Sequence, residues 1–388
     1  MASFYFPEGK RRMKTVICME IGQLITRVCE VQFHNDKINI VKAICFDTPP
    51  GEVHDGFIKV TDALASEIKA QLKAHGIFAS KIYYTVTSTS CFFRPVETVD
   101  ADDAALQKKL ESMKTEIFPE CNSRWRNTTP DEYAIRFFKT NVFVRNDQTT
   151  ARLETFAVPK KLITAYERLS TILGAECGGV IDSSYSIINA CSDLFKYKTS
   201  ILVLVNEHAL RAHLVRDGKV VAIAETDNSS LEFMIRDFVN SALHVFPLTA
   251  SDAFYLLSDI QLINQKANLP TEKDLIDKIT THANDFCAHL DYWLGFFCDK
   301  YDVKVNNVYF TGPLADINGL QNYISEKLCV PFTPLGDALI NTIHVPDTEL
   351  AIVESLISCV YAFNSDVNFV QLKNNNIIEN ISQFIIDA

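Results

Sequence analysis

Missing from this 388-residue chain is any apolar run of the roughly 18–20 residues that a membrane-spanning helix needs. Missing too is a Cys-x-x-Cys pair. The 11 cysteines are odd in number, and Cys18, Cys29, Cys45, Cys191, Cys329 and Cys359 fall inside apolar segments, where Cys behaves as a small hydrophobe. That usage points to reduced thiols in a cytoplasm. Basic residues are in deficit, 37 Lys and Arg against 48 Asp and Glu, and the net charge of −11 argues against a partner held through nucleic-acid phosphates. No Gly-x-Ser-x-Gly, His-Glu-x-x-His or Walker-type sequence occurs, so these motif-borne hydrolase and P-loop chemistries are not indicated.

What is present is a chain with 47% hydrophobic and 22% charged residues, a globular composition long enough for two or more cores. Residues 1–13 carry the pair Arg11–Arg12 with no apolar segment behind it, and are expected to form a loose leader rather than a signal peptide.

The informative pattern is a repeat. Thr15–Phe46 reads as strand, tight turn, strand, polar turn, strand, and Ser200–Glu225 repeats that order about half a chain later. In the first copy Val16–Ile21 is a buried strand ended by Gly22, and Ile25–Phe33 and Ile38–Phe46 follow around His34–Lys37. Thr61 and Asp62 then start a helix with Leu64, Ile68 and Leu72 at helical spacing, and Lys81–Thr87 returns as a strand. The second copy holds Ile201–Val205 and a hairpin around Asp217-Gly218, a strong two-residue turn signal. Between the copies lies an α+β block: strand Cys91–Val99, helix Asp100–Phe118, strands Tyr133–Thr140 and Ala151–Val158, and helix Lys160–Leu173 opened by Pro159. Helices are expected over Ser229–Leu243, Ser251–Asn264 and Thr271–Asp299. A strand is expected at Val305–Phe310, with further helices at Asn318–Leu328 and Thr348–Phe363.

The fold class expected is therefore α/β: duplicated βββαβα domains with an inserted α+β subdomain. The boundaries are 14–89 plus 176–199 for the first domain, 90–175 for the insertion, 200–372 for the second, and 373–388 for a linker and amphipathic tail. This is the plan of the actin-like ATPases. The run Gly51-Glu-Val-His-Asp55-Gly56-Phe-Ile, the ending Ile117-Phe118-Pro119, and Asn307-Val-Tyr-Phe-Thr311-Gly312 with Asn318-Gly319-Leu320 and Val330-Pro331 together resemble PilM-type pilus assembly proteins. The resemblance covers roughly residues 14 to 370, with the cell-division protein FtsA a more distant relation.

The resemblance implies a cytoplasmic protein at the inner face of the membrane. Its implied partners are the cytoplasmic tail of a PilN-like membrane protein and other pilus or secretion assembly proteins, with self-association a further option. It implies a peptide groove between the first subdomain and the insertion, in parts of 82–99 and 106–140, with Phe92, Phe93, Ile117, Phe118 and Phe137 as candidates. The alternative for each aromatic is simply the core of the inserted module.

The same resemblance allows the phosphate turns to be read residue by residue. The first turn in the family, Asp-Ile-Gly-Ser-Ser-Ser, reads Glu20-Ile21-Gly22-Gln23-Leu24-Ile25, and Arg27 keeps the charge of the family's Lys. The second turn aligns with Leu204-Val205-Asn206-Glu207-His208, where Glu207 brings negative charge towards the phosphates. The adenine loop, Thr-Gly-Gly-Gly in the family, reads Thr311-Gly312-Pro313-Leu314, and Pro313 removes an N–H. The vestigial site is thus Glu20, Gly22, Gln23, Arg27, Asn206, Thr311 and Gly312. The reading is a pseudo-ATPase with no resident cofactor, no catalytic residue and no metal, Mg-ATP being the alternative. A divergent active ATPase and an FtsA-like filament-forming adaptor are the competing functions.

Three further patterns carry residue types with possible chemistry. His282, Asp285 and His289 share one helix and are read as its polar edge rather than as metal ligands. Asp182 after Val180-Ile181 stands where related enzymes keep a catalytic carboxylate, and is read as a helix cap. The stripe Ile377, Ile378, Ile381, Phe384 and Ile385 carries Glu379 and Asp387 rather than Lys or Arg, favouring a protein surface over a lipid one.

Overall fold

The computed structural model describes residues 14–335, apart from 35–36, 79, 123–127, 191, 208, 228–229, 243–246, 313–314 and 316. The leader, Pro313-Leu314, the helix expected at Thr348–Phe363 and the tail lie outside the described residues.

The first lobe opens with β1 (Lys14–Ile21), β2 (Ile25–His34) and β3 (Lys37–Asp47), and a two-residue ribbon of β4 (Val53–His54) and β5 (Phe57–Ile58) follows. Helix α1 (Asp62–Ala74) starts at Thr61, whose hydroxyl accepts the Leu64 N–H at 3.2 Å, and buries Leu64, Ala65 and Ile68. Strand β6 (Lys81–Val86) returns parallel to β1.

The inserted module holds β7 (Phe92–Val99), α2 (Asp103–Ser112), the short α3 (Lys114–Ile117), β8 (Tyr133–Arg145) and β9 (Gln148–Pro159) in a three-stranded sheet ordered β7-β9-β8. The single helix expected over Asp100–Phe118 is broken at Met113. There Lys114 turns inward, and its Nζ donates to the carbonyls of Pro130 and Tyr133 and pairs with Glu111. These tertiary bonds offset the lost helical continuity. Helix α4 (Lys160–Leu173) ends on Gly174 at φ 79°, and β10 (Glu176–Asp182) re-enters the first sheet beside β6. Helix α5 (Ser183–Ala190) and the short α6 (Ser192–Phe195) follow.

The second lobe repeats the first. It is built from β11 (Thr199–Val205), β12 (Ala209–Arg216), β13 (Lys219–Asp227), α7 (Ser230–Ala242), α8 (Ala250–Asp259), α9 (Pro270–Tyr301), β14 (Asn307–Thr311), α10 (Leu320–Leu328) and β15 (Phe332–Pro334). The β12–β13 turn has Asp217 at φ 52° and Gly218 at φ 75°, the left-handed pair that the Asp-Gly signal requires. Strand β15 was not legible in the sequence.

The two sheets have the same order, β3-β2-β1-β6-β10 in one and β13-β12-β11-β14-β15 in the other, each with two antiparallel pairings followed by two parallel ones. Each lobe and the module has its own apolar core, the second lobe's built from β11, β12 and the inner face of α9 (Ile279, Ala283, Phe286, Leu290, Phe297). Each such fully buried large side chain contributes about 1.5–3 kcal/mol over leaving it in water. No described helix is long and apolar enough to cross a membrane. None of the described cysteines is in a disulfide, and Cys329, placed by sequence in an apolar segment, is exposed.

Candidate functional site

The β1–β2 and β11–β12 hairpins meet across the junction of the lobes. Register makes their arginines equivalent: Glu20 pairs with Arg27 across the first hairpin, and Leu204 with Arg211 across the second. Arg27 is wholly buried, its Nη2 3.0 Å from Glu20 Oε2, while Nε and Nη1 meet no acceptor among the described residues. Glu20 Oε1 accepts from Asn206 Nδ2 at 3.2 Å, so the two turns are joined beside this ion pair.

Glu207 makes the closer bridge. It is fully buried, and its carboxylate reaches across from the second turn into the first, accepting the Leu24 N–H at 2.8 Å (Oε2) and the Ile25 N–H at 3.3 Å (Oε1). A Cβ on Gly22 would lie 2.5 Å from Oε1, which is why only glycine fits there. Burial pushes the adjacent Cys45 thiol up to about 12, with Arg27 pulling the other way and Glu207 reinforcing the rise; this is an inert thiol.

More contacts across the junction surround this bridge. Gln23 donates to Glu232 of α7 at 3.1 Å and bonds His54 at 3.2 Å. Asp47, at the end of β3, accepts the N–H groups of Ala250 (3.3 Å) and Ser251 (2.9 Å), the open N-terminus of α8. Thr311 is fully buried at the end of β14. Gly312, at φ 99°, lies so close to β11 that a Cβ would stand 2.2 Å from the Val205 carbonyl oxygen.

The structure thus gathers Glu20, Gly22, Arg27 and Asn206 at one point, puts Gln23 at its rim, and sets Thr311 and Gly312 against β11. Sequence reasoning gave Glu207 its charge but not its partner, and did not single out Arg211. Arg211 is buried where β12 meets the end of β10 and the β6–β7 connection, its Nη1 2.7 Å from Asp182 and its Nε 2.6 Å from Glu225, with Nη2 on the Ser88 carbonyl. Burial opposes its charge, but the two carboxylates more than offset that and hold it firmly protonated. Asp182 also accepts the Tyr185 N–H at 3.1 Å, so its capping role and its ion pair coexist. The signal available was an arginine, with His213 two residues on, in the mostly apolar strand 209–215, at the repeat position of Arg27.

The aromatic candidates separate. Phe118 is wholly buried in the module core with Leu106, Leu110 and Ile135, so it is packing rather than groove lining. Ile117 and Phe137 are half-buried against the same core. Phe93 belongs to the junction of module and first lobe, its ring 5.1 Å from Phe156 and 6.3 Å from Tyr185. Phe92 is half-buried against Tyr133, with ring centres 5.7 Å apart. Phe92 and Phe93 border a cavity of about 450 Å³ that Arg94, Arg211, His213 and Glu225 also line. A second cavity, of about 530 Å³, lies between the β4–β5 ribbon and the module, lined by Phe57, Ser90, Tyr133, Pro159, Lys160 and Lys161. Asp55 holds its wall by accepting the Thr89 N–H at 2.7 Å. Of the helix face read as a polar edge, His282 bonds Asp237 at 3.1 Å and stacks on Phe233, and His289 lies beside Trp293.

Two lobes of one strand order, hairpins opposed across their junction and a module inserted after β6 define an actin-like fold. Among solved structures the chain is similar to the PilM–PilN type IV pilus biogenesis complex, with 14% identity over 90% of this chain and 97% of that one, at a TM-score of 0.68. It is also similar to the ethanolamine utilization protein EutJ from Carboxydothermus hydrogenoformans, with 10% identity over 91% of each chain and a TM-score of 0.50. No protein-family model matches the sequence, and no curated protein matches it. At such identities the likeness establishes the fold.

Proposed function

We propose that this chain is a cytoplasmic, non-hydrolysing actin-like scaffold of a type IV pilus or related secretion assembly, peripheral to the inner face of the membrane. It binds the cytoplasmic tail of a PilN-like membrane protein. The observation that carries the reading is the occupied junction: over a fold similar to PilM, the turn that would face phosphate already has its N–H groups bonded to Glu207. A phosphate entering there meets a buried carboxylate, and like charges at such distances repel by several kcal/mol at the effective dielectric of a protein.

The groove best suited to an extended tail is the cavity between the β4–β5 ribbon and the module. Phe57 offers part of an aromatic face, while Lys160 and Lys161, in the same lining as Glu132, can pair with a carboxylate of a peptide. A pulldown with the tail of the co-encoded PilN-like protein tests this directly, with enrichment over a scrambled tail expected and lost in Phe57→Ala. Equal recovery of both tails sinks the scaffold reading. A second reading, a divergent ATPase, draws on Arg27, whose Nε and Nη1 have no acceptor among the described residues. Titration with Mg-ATP separates the two: the scaffold predicts no saturation below about 1 mM, near 4 kcal/mol of binding, and micromolar affinity overturns it.

A further inference from the structure

We propose that Glu207 is a built-in replacement for a bound anion: its carboxylate is the permanent ligand of the β1–β2 turn, and clasps the two lobes together without any nucleotide. The proposal rests on the non-hydrolysing reading above and deepens it by naming what occupies the turn. Three observations meet in one place. The carboxylate is fully buried, away from any solvent that would stabilise its charge. It takes two successive backbone N–H groups, those of Leu24 and Ile25, one on each oxygen, the arrangement by which turn amides hold a phosphate or carboxylate. And Gly22 leaves the space that Oε1 fills.

The donor and acceptor come from different lobes, 183 residues apart for Leu24 and Glu207. A separate ligand bridges two lobes only while it is bound, and its dissociation removes the bridge. Here the bridge is covalently part of β11–β12, so its effective concentration never falls. Asn206 on Glu20, Gln23 on Glu232 and Asp47 on α8 close the same seam around it. The clasp accounts for the hydroxyl residues missing from the first turn: with a side-chain carboxylate already on the backbone N–H groups, Gln23, Leu24 and Ile25 have no phosphate to contact.

The test is chemical rescue in the full chain. Glu207→Ala removes the part of the side chain that acetate resembles. The melting temperature of this variant should fall by roughly 5 °C, the loss expected when two charge-assisted hydrogen bonds disappear from a chain of this size. Acetate should recover at least about half of the loss with saturation, sodium chloride at equal ionic strength should not, and the wild type should respond equally to both salts. Glu207→Gln keeps the volume but turns an amide NH₂ towards a backbone N–H; it should lose stability similarly and show no rescue, since its space is filled.

A Glu207→Ala loss below about 1 °C, or a loss that chloride repairs as well as acetate, overturns the proposal. If Glu207→Ala does not fold, a Glu207→Gln variant as stable as wild type overturns it, and one that has lost several degrees upholds it. Micromolar Mg-ATP binding by the wild type refutes the functional reading instead. Failed rescue without ATP binding refutes the clasp alone.

Discussion

Lowering the pH should weaken the second lobe through one residue, His213. It lies in β12 with 2% of its surface exposed, and burial pushes its pKa down from 6.5 to about 4, with Asp182 opposing and Arg211 assisting the fall. The folded chain therefore keeps the ring neutral where the unfolded chain protonates it. Full stability is present above about pH 6.5 and is lost as the pH falls towards 4, because the unfolded state binds the extra proton. With a free-energy change of about 1.36 kcal/mol per pKa unit, the loss comes to about 2 kcal/mol at pH 5 and about 3 kcal/mol at pH 4. Glu154 and Glu225, whose carboxyls burial pushes up from 4.5, act with the opposite sign from about that pH upward. The assay is thus a difference: urea unfolding of wild type and His213→Leu at pH 7, 6, 5 and 4.5. Carboxylates common to both proteins largely cancel, and the wild type should lose about 2 kcal/mol more than the variant between pH 7 and 5. Parallel curves would refute the reasoning, as would a wild type that gains on the variant as the pH falls.

Replacing Arg211 by Met should cost about 3–5 kcal/mol, because Asp182 and Glu225 keep their buried charge and lose their partner; a urea midpoint within error of wild type would refute this. Gly312→Ala should cost about 3–5 kcal/mol, from the positive φ and the overlap with the Val205 carbonyl, with no change on adding ATP. Gly51→Ala, at φ 76° but with open space around it, should cost only about 1 kcal/mol, and differential scanning calorimetry of the pair checks the contrast.

Much of the fold was legible because its signals are local. The apolar runs of β1 and β11, the cap at Thr61, Pro159 ahead of α4 and the Asp-Gly turn all act within a few residues, and the repeat carried the topology of both sheets. The break at Met113 was illegible because the bonds that favour it come from Pro130 and Tyr133, outside the helix. Phe118 and Phe92 have the same side chain, and only packing made one core and left the other beside a cavity. Strand β15 is three residues long, too short for a periodicity to register.

By itself the sequence determined the duplicated α/β plan and the residues that make up the two hairpin turns, since both are written in contiguous residues. Only the tertiary structure decided what those turns meet. Glu207 meets Leu24 and Ile25, and Arg211 meets Asp182, because two lobes fold against each other and bring together groups that no local pattern connects. Hydrophobic periodicity specifies each lobe separately. A buried charge is settled by whichever partner lies within hydrogen-bonding reach, and that is a property of the assembled molecule.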